Sequence, residues 1–292
     1  MKLADSNHDF TQNGGITVPG TMKRVLWGLT AVFVLYGISR VFTYSVDLTM
    51  GLSQFFWGVV VLIWAASVWK RVTDRRLRTL LLAVCALLLV YMLMQLLRYD
   101  ILCNFFTVRR WLWYGFYVPM LDVPLLCLAI ALLVHRPKGS PLPRWFWILA
   151  GIGGLLVLGV LTNDLHFQFV RFPTGVLNDN GDEKNGWLNY AANGFQYGAY
   201  LVFFAILIRK SRSLRRQKYR WIPLLPLALA IGYFLLYPTH LDFRWFGFRL
   251  YNMGEMLVFC LICALEACIQ TGMIPANTNY EVPHALQSID RR

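Results

Sequence analysis

Leu161-Thr162-Asn163-Asp164-Leu165-His166-Phe167-Gln168-Phe169-Val170-Arg171-Phe172 marks the point where a long apolar run meets the most polar and acidic loop of the chain. The run behind it, near Trp145–Thr162, is long enough at about 1.5 Å per residue to cross most of a hydrocarbon core of about 30 Å. An amide, a carboxylate and an imidazole follow within four residues, at Asn163, Asp164 and His166. The stretch therefore reads as the end of a membrane helix where it meets water.

The same pattern repeats outward in both directions. Apolar segments lie near Val25–Phe42, Gly51–Trp69, Leu77–Leu97, Trp111–Val134, Tyr190–Ile208, Trp221–Tyr237 and Leu250–Gln270. Of the 292 residues 57% are hydrophobic and 15% charged, with mean hydropathy +0.49; soluble domains carry nearer a quarter charged residues. The expected fold class is all-α: a polytopic transmembrane helical bundle with eight spans. Residues 1–21 read as a disordered cytoplasmic tail, 22–273 as the bundle, and 274–292 as a linker that begins a signalling helix. The 11 Trp, 14 Tyr and 20 Phe fit such a protein, because aromatic side chains settle at membrane interfaces.

Charge sets the expected orientation. With both termini inside, twenty of the 28 Lys and Arg fall in inner segments, including Lys70–Arg78 and Arg209–Arg220. The positive-inside rule then makes both termini cytoplasmic and places Asn163–Asn189, the longest loop, outside a cell membrane. The net charge of +13 is spread as short runs between apolar segments, so no nucleic-acid partner is expected. Cys85, Cys127, Cys260, Cys263 and Cys268 lie in apolar segments and Cys103 in a loop, which implies no disulfide framework. Cys260-x-x-Cys263 has no second half and reads as small packing residues.

Ionisable groups at depth mark paths or sites by default. Asp122 lies about 16 Å into its span and sits between Pro119 and Pro124, each of which removes a backbone donor. The alternative is a neutral carboxyl bonded to a neighbouring helix. Polar residues otherwise gather in the outer half of the bundle: Arg98, Tyr117, Asn193, Gln196, Tyr197 and Glu255. A cavity open to one side suits a ligand sensor, whereas a transporter needs a polar path to both sides. Arg98 reads either as an anion contact or as a residue reaching the outer interface. Asp164 and His166 join these residues as ligand-binding candidates on the rim of the outward pocket, with helix capping and a surface position as the plainer reading; with His240 and Asp242 they are also candidates for zinc, but nothing fixes that geometry, and no metal or cofactor is expected. Gly194-x-x-x-Gly198 permits close helix contact and fits tight packing as well as a homodimer.

No Walker A, GxSxG or HExxH motif occurs, and only 22 residues follow Gln270. The chain itself is expected not to be an enzyme.

Three stretches carry a resemblance. They are Arg109-Arg110-Trp111-Leu112-Trp113-Tyr114-Gly115-Phe116-Tyr117-Val118-Pro119-Met120 with Pro124-Leu125-Leu126, then Leu161–His166 with Arg171-Phe172-Pro173, then Glu266-Ala267-Cys268-Ile269-Gln270-Thr271-Gly272-Met273-Ile274-Pro275-Ala276-Asn277-Thr278-Asn279-Tyr280. In this order and spacing the chain resembles the N-terminal seven-helix membrane sensor region found ahead of bacterial histidine kinases and some diguanylate cyclases. The resemblance implies an input module that detects an extracellular or membrane-dissolved ligand, a small molecule or peptide. It would relay the signal through Glu266, Pro275, Asn277 and Tyr280 to a cytoplasmic histidine kinase or other output protein. The chain departs from the pattern in its eighth span, in Asp122 where an apolar residue is expected, and in carrying no output domain. A small-molecule permease and a structural membrane subunit are the competing readings.

Overall fold

Asp74 turns the chain from one apolar helix into the next: its Oδ1 accepts from the backbone N–H of Arg76 (2.9 Å) and Leu77 (3.3 Å), which satisfies donors that every helix start leaves open. A computed structural model describes residues 49–102, 104–136, 139–172, 184–212, 224–236 and 253–276, together with Ala31. All but Ala31, which is helical, belong to one compact unit, Gly37–Asn277; a second unit comprises Met1–Tyr36 and Thr278–Arg292.

Within the first unit the order is α1 (Thr49–Arg71), α2 (Arg75–Leu96), α3 (Phe106–Leu133), α4 (Arg144–Leu161), the single turn α5 (Asn163–His166), α6 (Trp187–Ser211), α7 (Leu225–Leu236) and α8 (Met253–Gln270). A two-stranded antiparallel ladder, β1 (Val170–Arg171) with β2 (Lys184–Asn185), pairs Val170 with Asn185. The fold is helical, as the hydropathy predicts. Four described helices, α2, α3, α4 and α6, are long and apolar enough to cross a membrane. Apart from Ala31, the segment near Val25–Phe42 lies outside the described residues, as does the stretch from Asn277 onward.

Helix α3 is the centre of the bundle and packs against α2, α4 and α6. Beyond Arg110, and with Asp122 as the exception, its sequence is apolar all round, so it gains most by being surrounded; Leu121, Cys127, Leu128 and Ala131 are fully buried. Pro119 and Pro124 lie inside it without ending it, a tolerance that membrane helices owe to tight neighbours. Helix α4 behaves differently. Trp147, Ile148, Leu155 and Leu158 stay exposed along it, as expected of a face turned to lipid. Helix α8 packs on α7, and its Phe259 meets Trp57 of α1 edge to face, with ring centroids 6.0 Å apart.

Two ends can be distinguished. At one, Thr73 bonds the chain beyond α8, and Lys210 Nζ donates to the carbonyls of Leu132 (3.0 Å) and Val134, closing the end of α3. At the other, α2 closes in a π turn, Leu97–Ile101, where the N–H of Leu102 reaches the carbonyl of Leu97 at 2.8 Å. The connection between the segments expected near Leu77–Leu97 and Trp111–Val134 is accordingly much shorter than their spacing implies. Arg98 belongs to the π turn, and Arg109 and Arg110 to the first turns of α3. Cys85, Cys127, Cys260 and Cys268 are buried free thiols.

Candidate functional site

The stretch after α4 folds on the amide of Asn163, which is fully buried. Its Nδ2 donates to the Tyr114 hydroxyl (2.9 Å) and the Val170 carbonyl (2.9 Å), while its Oδ1 accepts from the N–H of Phe169 (2.8 Å) and Val170 (3.2 Å). Both amide hydrogens are thus used, and the oxygen accepts twice. The Tyr114 hydroxyl passes the chain on, donating to Asp164 Oδ1 at 2.8 Å. Asp164 Oδ2 in turn lies 3.1 Å from Arg110 Nη2, with both side chains about one-quarter exposed. One relay of bonds therefore runs from the β1 backbone through Asn163, Tyr114 and Asp164 to Arg110. It pins the loop to α3.

His166 is a second fastener. The N–H of Gln168 donates to its Nδ1 (3.0 Å), so the ring proton sits on Nε2, which faces the Gly159 carbonyl at 3.0 Å. Both ring nitrogens are engaged, which leaves none for a metal. Among the described residues no group of three or more His, Cys, Asp or Glu converges, and His240 and Asp242 lie outside them. Phe167 adopts the left-handed region (φ 53°), which ends α5 and reverses the chain into β1.

Aromatic rings fill the space below. Trp113, Tyr117, Phe169 and Phe172 pack around one another, with Tyr117 and Phe169 centroids 4.6 Å apart and Trp113 and Phe172 5.8 Å apart. The Arg98 guanidinium lies over Trp113, 5.4 Å from the ring centroid, and the residue is buried. This is a cation–π placement. Tyr117 also receives a long bond from Asn189 Nδ2 (3.4 Å), and Asn193 donates back to the carbonyl (3.0 Å) and Oδ1 (2.8 Å) of Asn189.

The structure thus gathers Arg98, Tyr117, Asp164 and His166 at one end of the bundle, with Asn193 one turn along α6 from Asn189. The other candidates stand as follows. Gln196 is buried deeper on α6, where its Oε1 meets no donor among the described residues. Tyr197 is 41% exposed on the outer face of the same helix. Asp122 is half-buried in mid-α3 and forms no hydrogen bond or ion pair among the described residues. Glu255 is buried at the start of α8.

At the opposite end two of the expected relay residues, Glu266 and Pro275, are held by specific bonds. Glu266 is 1% exposed and takes a two-pronged bond from Arg71, Nη1 to Oε1 and Nη2 to Oε2, both 2.7 Å. Trp64 Nε1 (3.0 Å) and Gln270 Nε2 (2.9 Å) complete its shell. Beyond Gly272, whose φ of +75° favours glycine, Met273 and Ile274 are buried. The Pro275 carbonyl then accepts from both the N–H and the hydroxyl of Thr73, each at 3.2 Å, and Val72 bridges Ala276. Asn277 and Tyr280 lie outside the described residues.

Asn163, Tyr114, Arg110 and Trp113 escape the sequence-based choice of site residues. Asn163 stands in the opening stretch, but its partner Tyr114 is 49 residues away, and no local spacing reveals it. Gly186 is another such position. Its N–H bonds the Phe169 carbonyl (2.8 Å), and a Cβ there would overlap the Gln168 carbonyl. Gly186→Ala is expected to destabilise the loop seam by roughly 1–3 kcal/mol, read as faster amide exchange at Phe169, Gly186 and Leu188. Unchanged exchange would show that the loop accommodates the methyl group. The sequence matches no family model, no curated protein and no solved structure.

Proposed function

We propose that the chain is an integral-membrane signal sensor, with input at the end that carries Asn163 and output at the end that carries Glu266. In this reading the Asn163 end faces outward and meets a small molecule or peptide. The output end meets a cytoplasmic histidine kinase or other output protein. Arg110 and Asp164, paired yet partly exposed, are the groups at the input end best placed to exchange partners with a ligand.

The observation that carries the reading is the clamp on the exit of α8. Arg71 and Thr73 hold Glu266 and Pro275 immediately ahead of Asn277. A segment held by a few specific bonds has a second state available when they break, and a ligand that prefers one state shifts the balance.

The test joins the full chain to a histidine-kinase output and follows autophosphorylation. Thr73→Val and Glu266→Gln are expected to change basal output about fivefold or more, since couplings of ~1 kcal/mol have that effect. Asp164→Ala and His166→Ala should alter the response to an active ligand. Folded variants with unaltered output at all four positions would sink the sensor reading.

One observation favours a permease instead. Asp122 is half-buried in mid-α3 between two helix prolines. Uptake of labelled solute into vesicles that hold the purified chain, abolished by Asp122→Asn, would replace the first reading with this one.

A further inference from the structure

Three arginines from different elements surround the turn between α3 and α4. Arg76, in the first turn of α2, donates from Nη1 to the Ser140 carbonyl at 2.5 Å. Arg136, just past α3, donates from Nη1 to the next carbonyl, Pro141, at 3.2 Å. Arg144 is the first residue of α4. All three are exposed. A guanidinium has five donors, so one bond to the turn leaves Arg76 and Arg136 ample capacity for an outside acceptor.

Among the described residues near this turn in sequence, basic groups outnumber acids. Asp74 is the acid nearest in sequence to Arg76, and its Oδ1 is already bonded to the N–H of Arg76 and Leu77. The first turn of α4 holds no acidic residue, and its cap, Pro143, supplies no side-chain bond, which adds the positive end of a helix dipole.

The apolar surface that begins at Arg144 identifies what kind of anion fits. Trp145 and Trp147 are 43% and 62% exposed beside it, and Ile148, Ile152, Leu155 and Leu158 continue as an exposed stripe along α4. Gly151 and Gly154 interrupt the stripe, with no atom within 4 Å of where a Cβ would stand, so they leave a shallow slot. From Ile148 to Leu158 the stripe is about 15 Å long, half the thickness of a hydrocarbon core. A free phosphate would use the arginines alone. A phospholipid uses both features.

We propose that this corner is a binding site for an anionic phospholipid, with its headgroup on Arg76, Arg136 and Arg144 and an acyl chain in the slot along α4. The site belongs to the bundle and holds independently of the signalling reading.

The experiment titrates the full chain in neutral detergent with phosphatidylglycerol or phosphatidylcholine and counts retained lipid by native mass spectrometry. Wild type is expected to retain phosphatidylglycerol roughly tenfold better, in keeping with the attraction of clustered basic residues for anionic lipid. The Arg76→Gln/Arg136→Gln/Arg144→Gln variant should fall to the phosphatidylcholine level. The control Lys70→Gln/Arg209→Gln/Arg212→Gln removes the same charge from exposed positions off this turn and should retain the preference. Gly154→Leu fills the slot, keeps every charge, and should weaken retention of phosphatidylglycerol. Equal losses in both triple variants would mean diffuse charge attraction and overturn the proposal. So would full retention in Gly154→Leu, or displacement of the lipid by millimolar inorganic phosphate, since either would mean that the anion alone is bound.

Discussion

Arg71→Ala is expected to cost ~3–5 kcal/mol, the penalty for leaving one partner of a buried ion pair behind. Glu266 would remain 1% exposed with only Trp64 and Gln270 to hold its charge. Thermal unfolding of the purified chain should show a drop on the order of 10 °C. The reverse change is milder. Glu266→Gln keeps an oxygen for the Trp64 N–H, and Arg71, already 22% exposed, can turn to water. The double variant Arg71→Ala/Glu266→Gln should therefore be more stable than Arg71→Ala alone, a non-additivity expected of paired residues. If Arg71→Ala and Glu266→Gln prove equally harmless, the clamp does not exist as described.

Asn163→Ala is the second severe change. It strips the partner from the N–H of Phe169 and Val170, the Val170 carbonyl and the Tyr114 hydroxyl, all in a buried setting. Each orphaned group costs ~1–3 kcal/mol, so a total of about 3–5 kcal/mol follows after local relaxation. Hydrogen exchange should lose protection first at Phe169 and Val170. Asn163→Asp is no rescue, because it loses both donors and sets a second carboxylate beside Asp164. Unchanged protection at these two amides would contradict the hub role of Asn163.

The helices themselves are written plainly in the chain. The apolar run near Trp145–Thr162 forms the helix Arg144–Leu161, and the run near Leu77–Leu97 forms Arg75–Leu96. Hydropathy and length suffice there, since each helix satisfies its own backbone. Which face a helix buries is much less legible. In a bundle bounded by lipid, the outside is as apolar as the inside, so amphipathic periodicity fades. Gln196 and Tyr197 are neighbours that look alike as polar marks, yet one is buried and the other 41% exposed. Arg109 and Arg110 lie inside α3 although the apolar run begins only at Trp111. The clamp is half legible: Glu266 belongs to a stretch that carries the resemblance, whereas its partner Arg71 is one basic residue among many.

The π turn at Leu97–Ile101 acts as a register buffer. It holds one residue more than an α turn would, and it presents Arg98 to Trp113. Deleting one residue there would let α2 close as a regular helix without the rotation of about 100° that the same deletion imposes on everything beyond it in a regular α-helix. The length of α2 and the aim of its last turn are therefore adjustable separately, and the widened turn is what makes them so.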